Sequence, residues 1–208
     1  MRLFWAGIAF IVYGFITYCD NSHAQVSAGT KLSQENNNNA FTLGDFHSFD
    51  LNGPDNWGLE RYGTGRGELE LYQNGHIGLM GDNRSGILWG NEGNGLKLGL
   101  EPMAGSLAYH DKPLYQWEPG LSLGVKLLGF YAGPRMGLSY NNTGNDTFTG
   151  MTLQMQVFKV NFSYWENDYT NKIPKLQIYN INVFDKVSIE ERMQNNDKIT
   201  MIGMRFKL

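Results

Sequence analysis

The chain has 208 residues, with 17 Lys and Arg against 20 Asp and Glu, a net charge of −3 and a mean hydropathy of −0.38. That length suits one domain with a sizeable interior, and the near-neutral charge gives no footing to a nucleic-acid partner. The 26 glycines, 13% aromatic content and single cysteine point to an all-β chain with many reversals and no disulfide.

Arg2 and the apolar run 3–18, followed by Ser22-His23-Ala24, read as a secretory signal over residues 1–24, cleaved after Ala24 and taking Cys19 with it. Residues 25–40 are polar, include Asn36 to Asn39, and are expected to be a flexible leader. Residues 41–208 are then expected to form one antiparallel transmembrane β-barrel. No later run has the length of a membrane helix, but a barrel strand turns only every second residue to lipid, so its hydropathy averages out.

The strand pattern is read in short alternating runs. Residues 41–51 alternate weakly and end in the turn chemistry of Asn52-Gly53-Pro54-Asp55. Runs at 66–73 and 76–82 flank Asn74-Gly75, a two-residue hairpin signal, and a further run at 85–90 follows Asn83-Arg84. Leu96, Leu98 and Leu100 alternate with Lys97, Gly99 and Glu101 until Pro102 interrupts, and 103–110 resumes the run. Runs at 115–128, 130–140, 147–157, 158–165, 175–184, 187–193 and 199–208 complete the list. Their connections alternate between short (near Gly129, Phe158 and Asp185) and longer, as in outer-membrane barrels with short periplasmic turns. The thirteen runs must reduce to an even number, so twelve strands are expected, by dropping 41–51 or by joining the two runs at Pro102; eight or ten longer strands are the alternatives.

The stretch Glu68-Leu69-Glu70-Leu71-Tyr72, with Gly78-Leu79-Met80-Gly81-Asp82 and Leu100-Glu101-Pro102, resembles the acidic-strand, Gly-Asp and Glu-Pro pattern of Tsx-like nucleoside-specific outer-membrane channels. The likeness covers about a fifth of the chain. It implies a twelve-stranded monomeric barrel with a narrow nucleoside-binding pore.

Giving the apolar face to lipid leaves Lys97, Lys126, Arg135, Lys159 and Arg205 facing the lumen, with Glu68, Glu70, Glu101, Gln154 and Gln156. A lumen with both signs of charge suits either a passive channel for small polar solutes or a closed structural or adhesive barrel whose charges pair internally. Trp89, Tyr109, Tyr115, Trp117, Tyr140, Tyr164 and Trp165 are expected at the membrane interfaces. The alternating Ile202, Met204, Phe206 and Leu208 resemble the terminal strand that the outer-membrane assembly machinery engages.

Enzymatic readings are remote. His47-Ser48 could in principle belong to an outer-membrane lipid hydrolase, but no base and orienter are spaced to complete a nucleophilic set. His47, His76 and His110 have no local metal-ligand spacing, so neither metal nor cofactor is expected. A secreted β-sandwich is the remaining alternative in the absence of a membrane.

Overall fold

The computed structural model describes residues 25–33, 39–51, 53, 59–90, 93–109, 113–171, 173–194 and 197–207. The expected signal at 1–24, as well as His110 and Leu208, lie outside them. The strands are β1 (Gln25–Ser33), β2 (Ala40–Ser48), β3 (Arg61–Tyr72), β4 (Ile77–Gly90), β5 (Gly95–Glu101), β6 (Gly105–Tyr109) and β7 (Pro113–Trp117). They continue with β8 (Gly120–Leu127), β9 (Phe130–Asn141), β10 (Gly144–Val157), β11 (Val160–Tyr169), β12 (Leu176–Val183), β13 (Val187–Gln194) and β14 (Asp197–Lys207). Every pairing is antiparallel, and β1 joins β14 from Gln25↔Lys207 to Ser33↔Ile199, so the sheet closes into a single barrel.

Fourteen strands among the described residues therefore replace the twelve expected. The difference lies in how the wall is cut. β4 pairs with β5 along Ile87–Gly90 and with β6 along Leu79–Asn83, so β5 and β6 follow one another up the same neighbour. β9 likewise pairs with β8 and, through Tyr140 and Asn141, with β7. Counted around the circumference, the wall has twelve positions. The breaks fall at Pro102 and at Glu118-Pro119, since a proline has no N–H to give the ladder. The second break was hidden inside a single expected run.

Two further expectations are corrected. Residues 25–33 are not a flexible leader but the closing strand β1; their alternation of Val26, Ala28, Thr30 and Leu32 rests on small side chains and is weak as a signal. The expected turn at Asn83-Arg84 is the middle of β4, held by a register with β3 that runs from Arg61↔Ile87 to Leu71↔Ile77.

The alternation sorts the two faces. On β8, Leu123 is 53% exposed and Ser122 1%, and the same outward apolar row continues through Leu121, Val125 and Leu127. Met136, Leu138 and Met151 extend it onto β9 and β10. An exposed apolar band of this size is untenable in water and suits lipid.

The termini of the sheet, Gln25 of β1 and Lys207 of β14, lie at one end of the barrel with the turns at 128–129, 158–159 and 184–186. Leu128, Phe158, Lys159, Phe184 and Asp185 have positive φ there, the mirror-image turn geometry that matches strand twist in tight hairpins. The β2–β3 connection, residues 49–60, also belongs to this end. The connections expected to be short, near Gly129, Phe158 and Asp185, are two or three residues long, and of those expected to be longer 170–175 has six. The other two, at 142–143 and 195–196, close in two residues because β9 runs on to Asn141, β10 starts again at Gly144 and β14 starts at Asp197.

Placing a charge on the apolar face should weaken the barrel in lipid. Leu123→Arg and Leu138→Arg are each expected to destabilise the inserted barrel, by roughly 2–4 kcal/mol near the bilayer midplane. Reversible unfolding in lipid vesicles measures this; an unchanged midpoint for both variants would mean that the outer face does not meet lipid.

Candidate functional site: the barrel interior

Since alternate residues of a strand point to opposite faces, the inward row of β3 is Tyr62, Thr64, Arg66, Glu68 and Glu70, all buried. β4 contributes Asp82 and Arg84 and β5 contributes Lys97 and Glu101. Lys126 comes from β8 and Arg135 from β9. Three groups of contacts fill the lumen.

The central group spans it. Tyr62 Oη donates to Glu101 Oε1 at 2.7 Å and lies 3.0 Å from Ser122 Oγ, which in turn is 2.8 Å from Tyr131 Oη. Arg135 Nε donates to Glu101 Oε2 at 3.0 Å, and its guanidinium lies over the rings of Phe148 (4.5 Å) and Trp165 (5.0 Å). The Tyr62 ring stacks on Trp165, with centroids 5.6 Å apart and planes 10° apart. β3 and β11 are on opposite sides of the ring, so this stack joins opposing walls. Leu51, just past β2, turns into the same cluster, its N–H donating to Gln156 Oε1 at 2.8 Å.

A second group lies farther from the termini. Glu118, in the β7–β8 break, accepts from Arg84 and Tyr169, and from Gln116 and Asn167 at 2.9 Å each. Asp82 pairs with Arg192 on the far wall and is 3.4 Å from Arg84. Nearer β14, Arg66 stands 3.6 Å from Glu68 and 3.9 Å from Glu190, while Glu70 accepts from Lys31 (3.0 Å) and Tyr72 (2.5 Å).

The third group is at the mouth beside the termini. Lys97 and Lys126 each donate to a different oxygen of Glu60, at 3.1 and 3.0 Å. Burial works to raise the Glu60 carboxyl, but hydrogen bonds and charge from Lys126 and Lys97 outweigh it and hold the group below its usual value.

Of the residues expected inside, Glu68, Glu70, Lys97, Glu101, Lys126, Arg135 and Gln154 are buried there, and Gln156 and Arg205 are half-buried. Arg205 lies 3.6 Å from Asp45. Lys159 is a correction: β10 ends at Val157, and Lys159 is exposed in the turn that follows. Trp165 is another, since it lies inside the barrel instead of at an interface; Trp89, Tyr109 and Trp117 are exposed. Arg66 was legible, as it shares a face with Glu68 and Glu70. Asp82 and Arg84 were hidden by the mistaken turn, and Glu118 by the neighbouring proline. Glu60 had no signal, because it precedes its strand and reaches the site only through tertiary folding.

His47 Nε2 contacts Asp45, and Ser48 Oγ has no hydrogen-bond partner among the described residues, so no nucleophile–base hydrogen bond joins His47 to Ser48. His76 is exposed in the β3–β4 turn.

No family model matches the chain, and no curated protein is similar to it. Among solved structures, a KdgM porin matches with a TM-score of 0.50 and 10% identity, over 89% of this chain and 99% of that one. A KdgM porin in complex with disordered oligogalacturonate matches with a TM-score of 0.49 at the same identity and coverage. The first likeness shows the fold: this is a porin-like antiparallel β-barrel.

Removing one member of the central ion pair should cost more than removing both. Arg135→Met is expected to lower unfolding stability by about 3–5 kcal/mol, and Glu101→Leu added to it should restore part of that loss. Denaturant unfolding of the single and double variants gives the comparison; equal losses would place the pair outside the folded core.

Proposed function

We propose that this chain is an outer-membrane channel of the porin type, passing small polar solutes through a narrow lumen. The observation that carries the reading is the pairing of an apolar exterior with an inward face bearing charges of both signs on many wall strands. A soluble sandwich would have to expose the first and gain nothing from burying the second. Export to the periplasm and assembly through β14, whose Ile202, Met204 and Phe206 face outward, belong to the same proposal.

Twelve wall positions lie between the small filled barrels and the wide porins, so the lumen is crossed by side chains where opposing walls approach. The channel is accordingly of small conductance, set by the Tyr62–Trp165 stack and the Arg135–Glu101 pair. Nucleosides fall within the proposed solute class, but the residues that carry the Tsx-like resemblance commit their carboxylates elsewhere. Glu70 serves Lys31 and Tyr72, and Glu101 serves Tyr62 and Arg135. The proposal therefore names small polar solutes as a class.

A closed structural barrel is the second reading. It is favoured by the Arg135 and Glu101 side chains, both 0% exposed.

Planar-bilayer recording separates the two. Purified, folded protein is expected to give small unitary steps, and Tyr62→Ala combined with Trp165→Ala should enlarge them by removing the stack that spans the lumen. Silence from both proteins, each shown folded by heat-modifiable gel mobility, would reject the channel and leave the closed barrel.

A further inference from the structure

The chain leaves β2 at Ser48 and enters β3 at Arg61, but it does not turn straight back. Phe49 N donates to Gly63 O at 2.9 Å, which carries the β2–β3 ladder one step past Ser48↔Thr64. Two residues on, Leu51 N donates at 2.8 Å to Oε1 of Gln156, on β10. β10 stands opposite β2 in the ring, and Gln156 is the penultimate residue of its strand. Main chain from one wall and a side chain from the other thus meet across the lumen, at the mouth beside the sheet's termini. Leu51 is 2% exposed and packs in the cluster that holds Tyr62, Phe148 and Trp165. Every other buried member of that cluster sits on a wall strand, where the ladder fixes its backbone. Leu51 lies outside every strand, so side-chain packing and a bond to a side chain set its place. A segment held in this way opens without disturbing the wall.

We propose that residues 49–51 are a strap that closes this mouth, with Phe49 as its fixed end and Leu51 as its latch, and that undocking of Leu51 opens the lumen to small polar solutes. The proposal rests on the channel reading for what passes, but not for the motion. Docked, the latch adds an aliphatic group to a ring of aromatic side chains, and an apolar constriction of that kind stops passage by excluding water. Undocked, it withdraws one side chain and exposes one N–H that water satisfies. The wall ladder keeps every pairing in both states, so the change is confined to the strap.

Thiol labelling and conductance test this. Cys19, the chain's only cysteine, is replaced by Ser. Leu51→Cys then places a thiol on the strap, and Ile178→Cys and Leu88→Cys place one on β12 and on β4, all at buried positions of the same cluster. Each protein, shown folded in detergent by heat-modifiable gel mobility, is treated with a positively charged methanethiosulfonate reagent. The thiol at 51 should react at least about tenfold faster than those at 178 and 88, because the strap opens locally and the wall does not. Equal rates at all three positions overturn the strap. In planar bilayers the reagent should enlarge the unitary steps of the Leu51→Cys protein, because a charged adduct does not return to an aromatic seat. Steps that stay the same after modification at 51 overturn the closure. Silence before and after modification rejects the channel reading, and the labelling rates alone then decide the strap, so the two failures are distinguishable.

Discussion

Inside a bilayer no water reaches the backbone, and a sheet survives there only if none of its N–H and C=O groups faces an unpaired edge. In this chain that condition is met by the pairing of β1 with β14, a ladder from Gln25↔Lys207 to Ser33↔Ile199 that joins the two ends of the described sequence. Closure fixes the number of wall positions, and that number fixes how far apart opposing walls stand. It also decides which face of each strand is inside. Ser27 and Arg205 are partners across the seam, and the inward row continues from β14 through β1 to β2 in one register.

A ring of twelve positions is narrow enough for long side chains to meet across it, and the interior is built around that reach. Aromatic rings cross the centre, with Tyr62 from β3 stacked on Trp165 from β11. Charged side chains fill the space on either side of them, because a guanidinium or ammonium can bridge a gap that an aliphatic chain would leave empty. The cost of burying such charges is met where partners are complete, as around Glu118 and Glu101. On other groups capacity is left over, the Arg84 guanidinium that Glu118 pairs with among them. Arg84 Nη2, Glu68 Oε2 and Glu190 Oε1 have no hydrogen-bond partner among the described residues, which distinguishes this interior from the dry core of a sandwich.

The two proline breaks serve that interior. Across the β7–β8 break Glu118 keeps the inward positions that Gln116, Ser122 and Lys126 share, and its N–H is taken up by Ala104 O at 2.7 Å. From there its carboxylate collects contacts from β4, β7 and β11 at once. The β2–β3 connection acts similarly at the mouth, delivering Leu51 to the aromatic cluster and Glu60 to the lysines.

The amino-acid sequence by itself determined the class of structure and the sorting of faces. The alternation of Leu121, Leu123, Val125 and Leu127 with Ser122, Gly124 and Lys126 can be satisfied only by a strand with one apolar and one polar side. The same rule placed Glu68, Glu70, Lys97, Glu101, Lys126 and Arg135 on the inner face before any fold was known. Where alternation was carried by small residues, as in β1, or passed through turn-like residues, as at Asn83-Arg84, it failed. There the strand is imposed by its neighbours' unpaired backbone rather than by its own side chains. Only the tertiary structure decided that the wall has fourteen segments at twelve positions, that Trp165 faces inward, and that Glu60 lies between Lys97 and Lys126. Each of these depends on which strands become neighbours, or opposites, when the ring closes, and a period of two along one strand contains no information about what stands across the lumen.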